Sequence, residues 1–94
     1  MYLISYDISS NKIRTKLAKK LLNYGKRVQY SVFECNIDAA TFRRGYQDMG
    51  RIVDGKDEVS IRCYLIDKVA QSKVVILGDP DYMLSDGSED VIFI

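Results

Sequence analysis

An aspartate stands near the end of the first apolar stretch of this sequence, and a long run without acids follows it. Asp7 lies in Tyr2-Leu3-Ile4-Ser5-Tyr6-Asp7-Ile8; residues 8–33 then hold seven bases (Lys12, Arg14, Lys16, Lys19, Lys20, Lys26 and Arg27) and no carboxylate. A carboxylate beside so many cations is a place where phosphate and a hard divalent metal can meet, because magnesium is held by one or two carboxylates together with phosphate oxygens and water. Asp7 is therefore the candidate metal ligand and catalytic carboxylate. One carboxylate alone makes a poor magnesium site, and a two-fold axis can supply a second from another chain. Arg14 and Arg27 are the candidate phosphate contacts, since a guanidinium fork pairs bidentately with phosphate oxygens. Tyr6, Tyr30 and Phe33 are candidates for stacking on bases, although aromatics at strand spacing also belong in a core.

Composition narrows the chemistry further. The sequence has no histidine, which removes Ser-His-Asp and Cys-His catalysis and imidazole-bound zinc. Cys35 and Cys63 are too few for a disulfide scaffold, and each sits in an apolar strand-like run, as reduced thiols of a cytoplasmic protein do. No apolar run approaches the roughly 20 residues that span a bilayer, and Met1 leads into no signal-peptide pattern, so no membrane association is expected. The net charge of +1 hides an uneven distribution, because residues 78–94 carry five acids (Asp79, Asp81, Asp86, Glu89, Asp90) and no base. That stretch fits no calcium-loop spacing; it reads as a solvated loop or a docking surface for a basic protein.

Hydrophobic periodicity gives the elements that must position these groups. Residues 2–8 alternate as a half-buried strand. Ser9-Ser10-Asn11 is cap chemistry for a helix with Ile13, Leu17, Ala18, Leu21 and Leu22 on its buried stripe, ended by Gly25. Residues 27–37 read as strand, long enough for a bend near Tyr30-Ser31. Asp38 caps a second helix whose stripe is Phe42, Tyr46, Met49 and Val53. Residues 58–66 alternate again, Val74 to Leu77 is a short apolar run, and Val91 to Ile94 closes the chain. With 94 residues and no linker or repeat, the whole chain, 1–94, is expected to be one α+β domain. The economical arrangement is a ferredoxin-like sandwich: an antiparallel sheet with both helices on one face. Its other face, with Ser5, Asp7, Arg62 and Tyr64, is then bare, and Val91 to Ile94 suits strand addition to a partner, so a homodimer is expected.

Three motifs in this order resemble a known family. The opening Tyr2-Leu3-Ile4-Ser5-Tyr6-Asp7-Ile8, the helix start Asn11-Lys12-x-Arg14 and the run Arg27-Val28-Gln29-Tyr30-Ser31-Val32-Phe33 are similar to the small CRISPR-associated proteins of spacer acquisition, known as endoribonucleases. The resemblance implies a ferredoxin-like homodimer whose C-terminal strand crosses to the partner. It also implies magnesium held by the aspartate of the first strand, with cleavage of RNA or DNA, and a bridging position between integrase dimers that hold duplex DNA. On this resemblance Asp7 matches the metal aspartate and Tyr6 the aromatic beside it. Arg14, Arg27 and Phe33 match functional positions for nucleic acid. Lys16 stands where some members have arginine, which keeps the charge and loses the fork.

Two functions are thus expected, and they are compatible: a metal-dependent endonuclease centred on Asp7, and a DNA-binding bridge in a spacer-integration complex; a purely structural, catalytically inactive bridge is the alternative. A regulatory module binding a metabolite between subunits fits the acid-free basic stretch poorly.

Overall fold

The structure of the protein is a computed structural model that describes residues 1–83. Strand β1 (Tyr2–Ile8) leads into helix α1 (Asn11–Leu21), then β2 (Lys26–Gln29), β3 (Val32–Cys35), α2 (Ala39–Val53), β4 (Val59–Leu65) and a single turn of helix, α3 (Lys68–Gln71). The four strands form one antiparallel sheet in the order β2-β3-β1-β4. Strands β1 and β2 flank β3, so α1 crosses one face of the sheet in a split βαβ unit, and α2 makes the matching crossover from β3 to β4. This is the expected ferredoxin-like arrangement.

The period of two along β1 decides which face is covered. Ile4, Tyr6 and Ile8 point into the core, where they meet Phe33 and Cys35 of β3, Leu17, Ala18 and Leu21 of α1, and Met49 and Ile52 of α2. Leu3, Ser5 and Asp7 point to the other face, which no element among the described residues covers. Both helices start on the caps read from sequence: Ser10 Oγ accepts from Ile13 N at 3.3 Å, and Asp38 Oδ1 from Thr41 N at 2.8 Å. The turn at Tyr30-Ser31 splits the 27–37 run into a hairpin.

Gly25 lies where α1 hands over to β2 against β3. A Cβ there would stand 2.3 Å from Glu34 O and 2.5 Å from Cys35 Sγ, so the close approach of two backbones requires glycine.

Several expectations are corrected. Helix α1 ends at Leu21, and residues 22–25 form turns closed on Ala18 O, Lys20 O and Leu21 O. Tyr46 is 63% exposed; the inward stripe of α2 runs through Gly45, Met49 and Ile52, because Gly45 receives the ring of Tyr24. Leu65 is exposed at the end of β4. Val74 to Leu77 form no strand and are exposed between 51% and 94%, since no sheet edge of the described chain reaches them. Val91 to Ile94, and the acidic stretch from Ser85 onward, lie outside the described residues.

Candidate metal and nucleic-acid site

Asp7 is exposed on the bare sheet face, opposite Ser60 of β4, with Ser5 and Arg62 paired one step back along the same face. Its carboxylate takes part in no hydrogen bond or ion pair among the described residues, so its oxygens are available to a ligand. The backbone around it is tied on three sides. On the near side Tyr6 N donates to Ser31 O at 3.1 Å, which couples β1 to the β2–β3 turn. Beyond Asp7, Arg14 Nη1 donates to Ile8 O at 2.5 Å and to Ser9 O at 3.3 Å. Ser9 in turn donates from N to Glu58 O and from Oγ to Glu58 Oε1, each at 3.3 Å. Glu58 holds a left-handed φ of 56°, unusual for a residue with a side chain.

The other expected site residues are placed very differently. Phe33 is wholly buried and Arg27 is 2% exposed; Tyr6, at 4%, lies between them. Arg27 donates from Nε (3.0 Å) and Nη2 (2.8 Å) to Tyr30 O and from Nη2 to Tyr6 Oη at 3.2 Å, with its guanidinium 5.5 Å from the Phe33 ring centre. Burial pushes the Tyr6 phenol above its ordinary range, against the lowering effect of Arg27, so it stays neutral. In this conformation neither ring offers a face to a base. Lys16 is exposed on the outer side of α1, together with Lys12 and Lys19, and Arg43 and Arg44 extend the basic surface onto α2. The geometry therefore gathers Tyr6, Asp7, Arg14, Arg27 and Phe33 around one strand end. Lys16 is on the helix layer, which faces away from the bare side of the sheet.

Sequence reasoning missed Ser9 and Glu58. Ser9 was visible only as part of the cap, and nothing in Lys56-Asp57-Glu58 signals a left-handed residue. The thiols take no part: burial pushes Cys35 up to about 11 and raises Cys63, so both stay protonated near neutrality.

A magnesium ion fits this donor set in part. Asp7 is an accessible oxygen ligand of the kind that ion takes, but among the described residues no group of three or more His, Cys, Asp or Glu side chains converges. Among the described residues Asp7 is thus the carboxylate offered on this face, and the other positions are left to further ligands such as water, phosphate or a second chain. No helix among the described residues is long and apolar enough to cross a membrane.

The model of the family described as CRISPR associated protein Cas2 matches residues 1–74. A CRISPR-associated endoribonuclease Cas2 from Chloroflexus aurantiacus is 49% identical over 76 residues, 80% of this chain and 80% of that protein. The crystal structure of Streptococcus pyogenes Cas2 is similar with a TM-score of 0.71 and 36% identity, covering 82% of this chain and 98% of that one. A chain of a partial Cas6-RT-Cas1–Cas2 complex is similar with a TM-score of 0.68 and 30% identity, covering 88% and 97%. The family match reaches from β1 past α3, across every residue that frames Asp7, and the chain belongs to the CRISPR-associated protein Cas2 family.

Proposed function

We propose that this chain is a homodimeric nucleic-acid-binding subunit of CRISPR spacer acquisition, and that Asp7 gives it a magnesium-dependent endonuclease activity on RNA or DNA. The observation that carries the catalytic part is Asp7 itself: an exposed, unpaired carboxylate whose backbone is fixed on both sides. The Chloroflexus relative is named an endoribonuclease, which supports the same reading. Magnesium at Asp7 would supply Lewis-acid polarisation of a phosphoryl oxygen and activation of water. The protein's share is to hold the carboxylate still and to present a face on which a backbone can lie. Arg62 and Ser5 flank that approach on the bare sheet.

Dimerisation is supported by two surfaces that a lone chain leaves wet. Leu3, Val32 and Tyr64 line the bare sheet face, and Val74, Val75, Ile76 and Leu77 follow it as four exposed apolar residues. Such surface is unusual on a small monomer. Pairing across a two-fold axis would bring a second Asp7 to the site and answer the shortage of ligands. Val74 to Leu77 are the described residues best suited to cross to the partner's β4 edge, in addition to Val91 to Ile94.

A specific observation also favours the bridging role. The exposed bases Lys12, Lys16, Lys19, Arg43 and Arg44 lie on the helix layer, whereas Asp7 is on the opposite side of the sheet. A duplex held by the helices lies away from the carboxylate. We therefore place duplex binding beside an integrase in the biological role, as the Cas1–Cas2 complex of the related chain supports, and weak cleavage in the isolated dimer.

The test is cleavage of RNA and of duplex DNA by purified protein, with magnesium and with chelator, beside Asp7→Ala. Cleavage should need the metal and vanish in the variant, with an unchanged circular-dichroism spectrum and melting curve. Activity that survives in Asp7→Ala would remove Asp7 from the chemistry.

A further inference from the structure

We propose that Arg14 and Arg27 are positioning residues that clamp the two backbone segments on either side of Asp7, and are not contacts to phosphate. This deepens the reading of Asp7 as the metal-binding carboxylate and rests on it for the catalytic consequence only.

The argument begins with how each guanidinium spends its donors. A bidentate grip on phosphate needs two adjacent N–H groups, either the pair Nη1 and Nη2 or the pair Nε and Nη2. In Arg14, Nη1 is committed to Ile8 O and Ser9 O. Its Nε is buried and has no hydrogen-bond partner among the described residues. Both fork geometries are thereby closed, and Nη2 alone is left. In Arg27 the Nε and Nη2 pair already closes on one acceptor, Tyr30 O, and the side chain is 2% exposed beneath the rings of Tyr30 and Phe33. A phosphate would have to open the core to reach it.

What the two arginines hold is the second half of the argument. Ile8 and Ser9 are the residues directly after Asp7. Tyr30 precedes Ser31, whose carbonyl receives the N–H of Tyr6, the residue directly before Asp7. Arg27 also donates to the Tyr6 hydroxyl. Asp7 thus sits between a segment fixed by Arg14 and a segment fixed through Arg27. An exposed carboxylate at a strand end would otherwise share the mobility of the loop it borders, while productive geometry at a metal or reacting phosphate tolerates only about 0.5 Å of error. Charge-assisted hydrogen bonds to carbonyls are a strong way to impose it.

Three readouts on Arg14→Gln, Arg14→Lys and Arg27→Lys, with Lys16→Gln as the comparator, decide the matter. The first is duplex DNA affinity by fluorescence anisotropy across a salt series. Clamps leave the slope of log affinity against log salt unchanged in Arg14→Gln, while Lys16→Gln flattens it by about 0.9 for each phosphate that is no longer neutralised. The second is amide hydrogen exchange, which should quicken at Ser9 in the Arg14 variants and at Tyr6 in Arg27→Lys. The third is cleavage, where kcat should fall about 10- to 100-fold with KM within twofold, as a displaced reacting group predicts. Arg14→Lys should not rescue it, because the ammonium ends one bond short of Nη1 and lacks the planar group that fixes the direction of its donors. A salt slope flattened in Arg14→Gln as in Lys16→Gln, or unchanged exchange at Ser9 and Tyr6, overturns the proposal. If Asp7→Ala cleaves like the parent, the metal reading fails on its own, and exchange and salt slope still judge the clamps.

Discussion

Replacing Phe33 separates a core residue from a base-stacking one, and the structure gives the size of both effects. Phe33 has no exposed surface, its ring centre is 6.4 Å from that of Tyr6, and it lies opposite Ile4 on β1. Truncation to alanine at such a position costs about 3–5 kcal/mol, the transfer term plus the cavity left behind. A domain of this size has roughly 5–14 kcal/mol in all. Phe33→Ala should therefore melt about 12–40 °C lower, at about 4–8 °C per kcal/mol. Phe33→Leu is the more informative variant. It keeps an apolar filling and loses the ring beneath Arg27, at a cost of about 1–2 kcal/mol, which leaves the protein folded at room temperature. Stacking on a base is worth about 1–3 kcal/mol by truncation, a 5- to 150-fold loss of affinity. The assay is urea unfolding at a fixed protein concentration, followed by anisotropy with single-stranded RNA and DNA where the variant is fully folded. A core role predicts a lower unfolding midpoint with affinity within twofold of the parent. A Phe33→Leu protein as stable as the parent but binding more than fivefold more weakly would refute the burial argument, and with it the assignment of Arg27 to the interior.

Two glycines should respond in opposite directions in thermal melts. Gly25→Ala should destabilise by about 1–3 kcal/mol or more, because backbone atoms of Glu34 and Cys35 stand in the way. Gly50→Ala, in α2 with nothing within 4 Å of its Cβ, should stabilise by up to about 1 kcal/mol. The hydrogen bond from Tyr24 Oη to Asp48 Oδ2, 2.6 Å long, sets a pH window for stability. That bond holds the Asp48 carboxyl below its ordinary value and the Tyr24 phenol above its own, and the cap bond from Thr41 lowers Asp38. The carboxylates' contribution is present above the ordinary carboxylate value near 4 and is lost as pH falls through their lower folded values; the phenol's is present below about pH 10 and is lost as pH rises through its higher folded value. Tyr24→Phe should flatten both limbs in part, with Asp38 retaining its share of the acid limb and Tyr6, Cys35 and Cys63 theirs of the alkaline one; identical pH–stability curves would show the bond is absent in solution. Finally, Val75→Asp with Leu77→Asp should shift sedimentation toward monomer at low concentration, since each buried side chain is worth about 1.5–3 kcal/mol before ordering costs. An unchanged profile would take Val74 to Leu77 out of the interface.

The parts of the fold that were legible from sequence are those set by local chemistry. Alternation placed β1 and put Asp7 on the uncovered face, because a period of two needs no tertiary information. Ser10 and Asp38 announced the helix starts, because a side-chain oxygen satisfying an orphan N–H is decided within four residues. The hairpin was readable as a strand too long for this sheet. What residue type did not give was a buried cation. Alternation groups Arg27 with Phe33 and Cys35 on one face, as the structure has them, but a guanidinium reads as a phosphate contact unless its internal acceptors, Tyr30 O and Tyr6 Oη, are known. The apolar run Val74 to Leu77 carried no assignment from sequence, and in the structure it is exposed and outside the sheet.

Residue type alone also failed to separate the arginines that bind from those that build. Arg14 and Lys16 are two positions apart on one helix, so their side chains leave it about 200° apart. One turns back to the strand end and the other meets solvent. Had the guanidinium been at 16 and the ammonium at 14, the charge pattern would read the same, yet the clamp on Ile8 and Ser9 would be lost. In Arg14 and Arg27 the planar, multidonor group grips backbone carbonyls, whereas Lys12, Lys16 and Lys19, with Arg43 and Arg44, lie on the exposed helix surface, where a polyanion needs charge more than geometry. On the proposed reading the acid-free stretch after Asp7 serves two ends through one composition: it holds the carboxylate on one side of the sheet and attracts nucleic acid on the other.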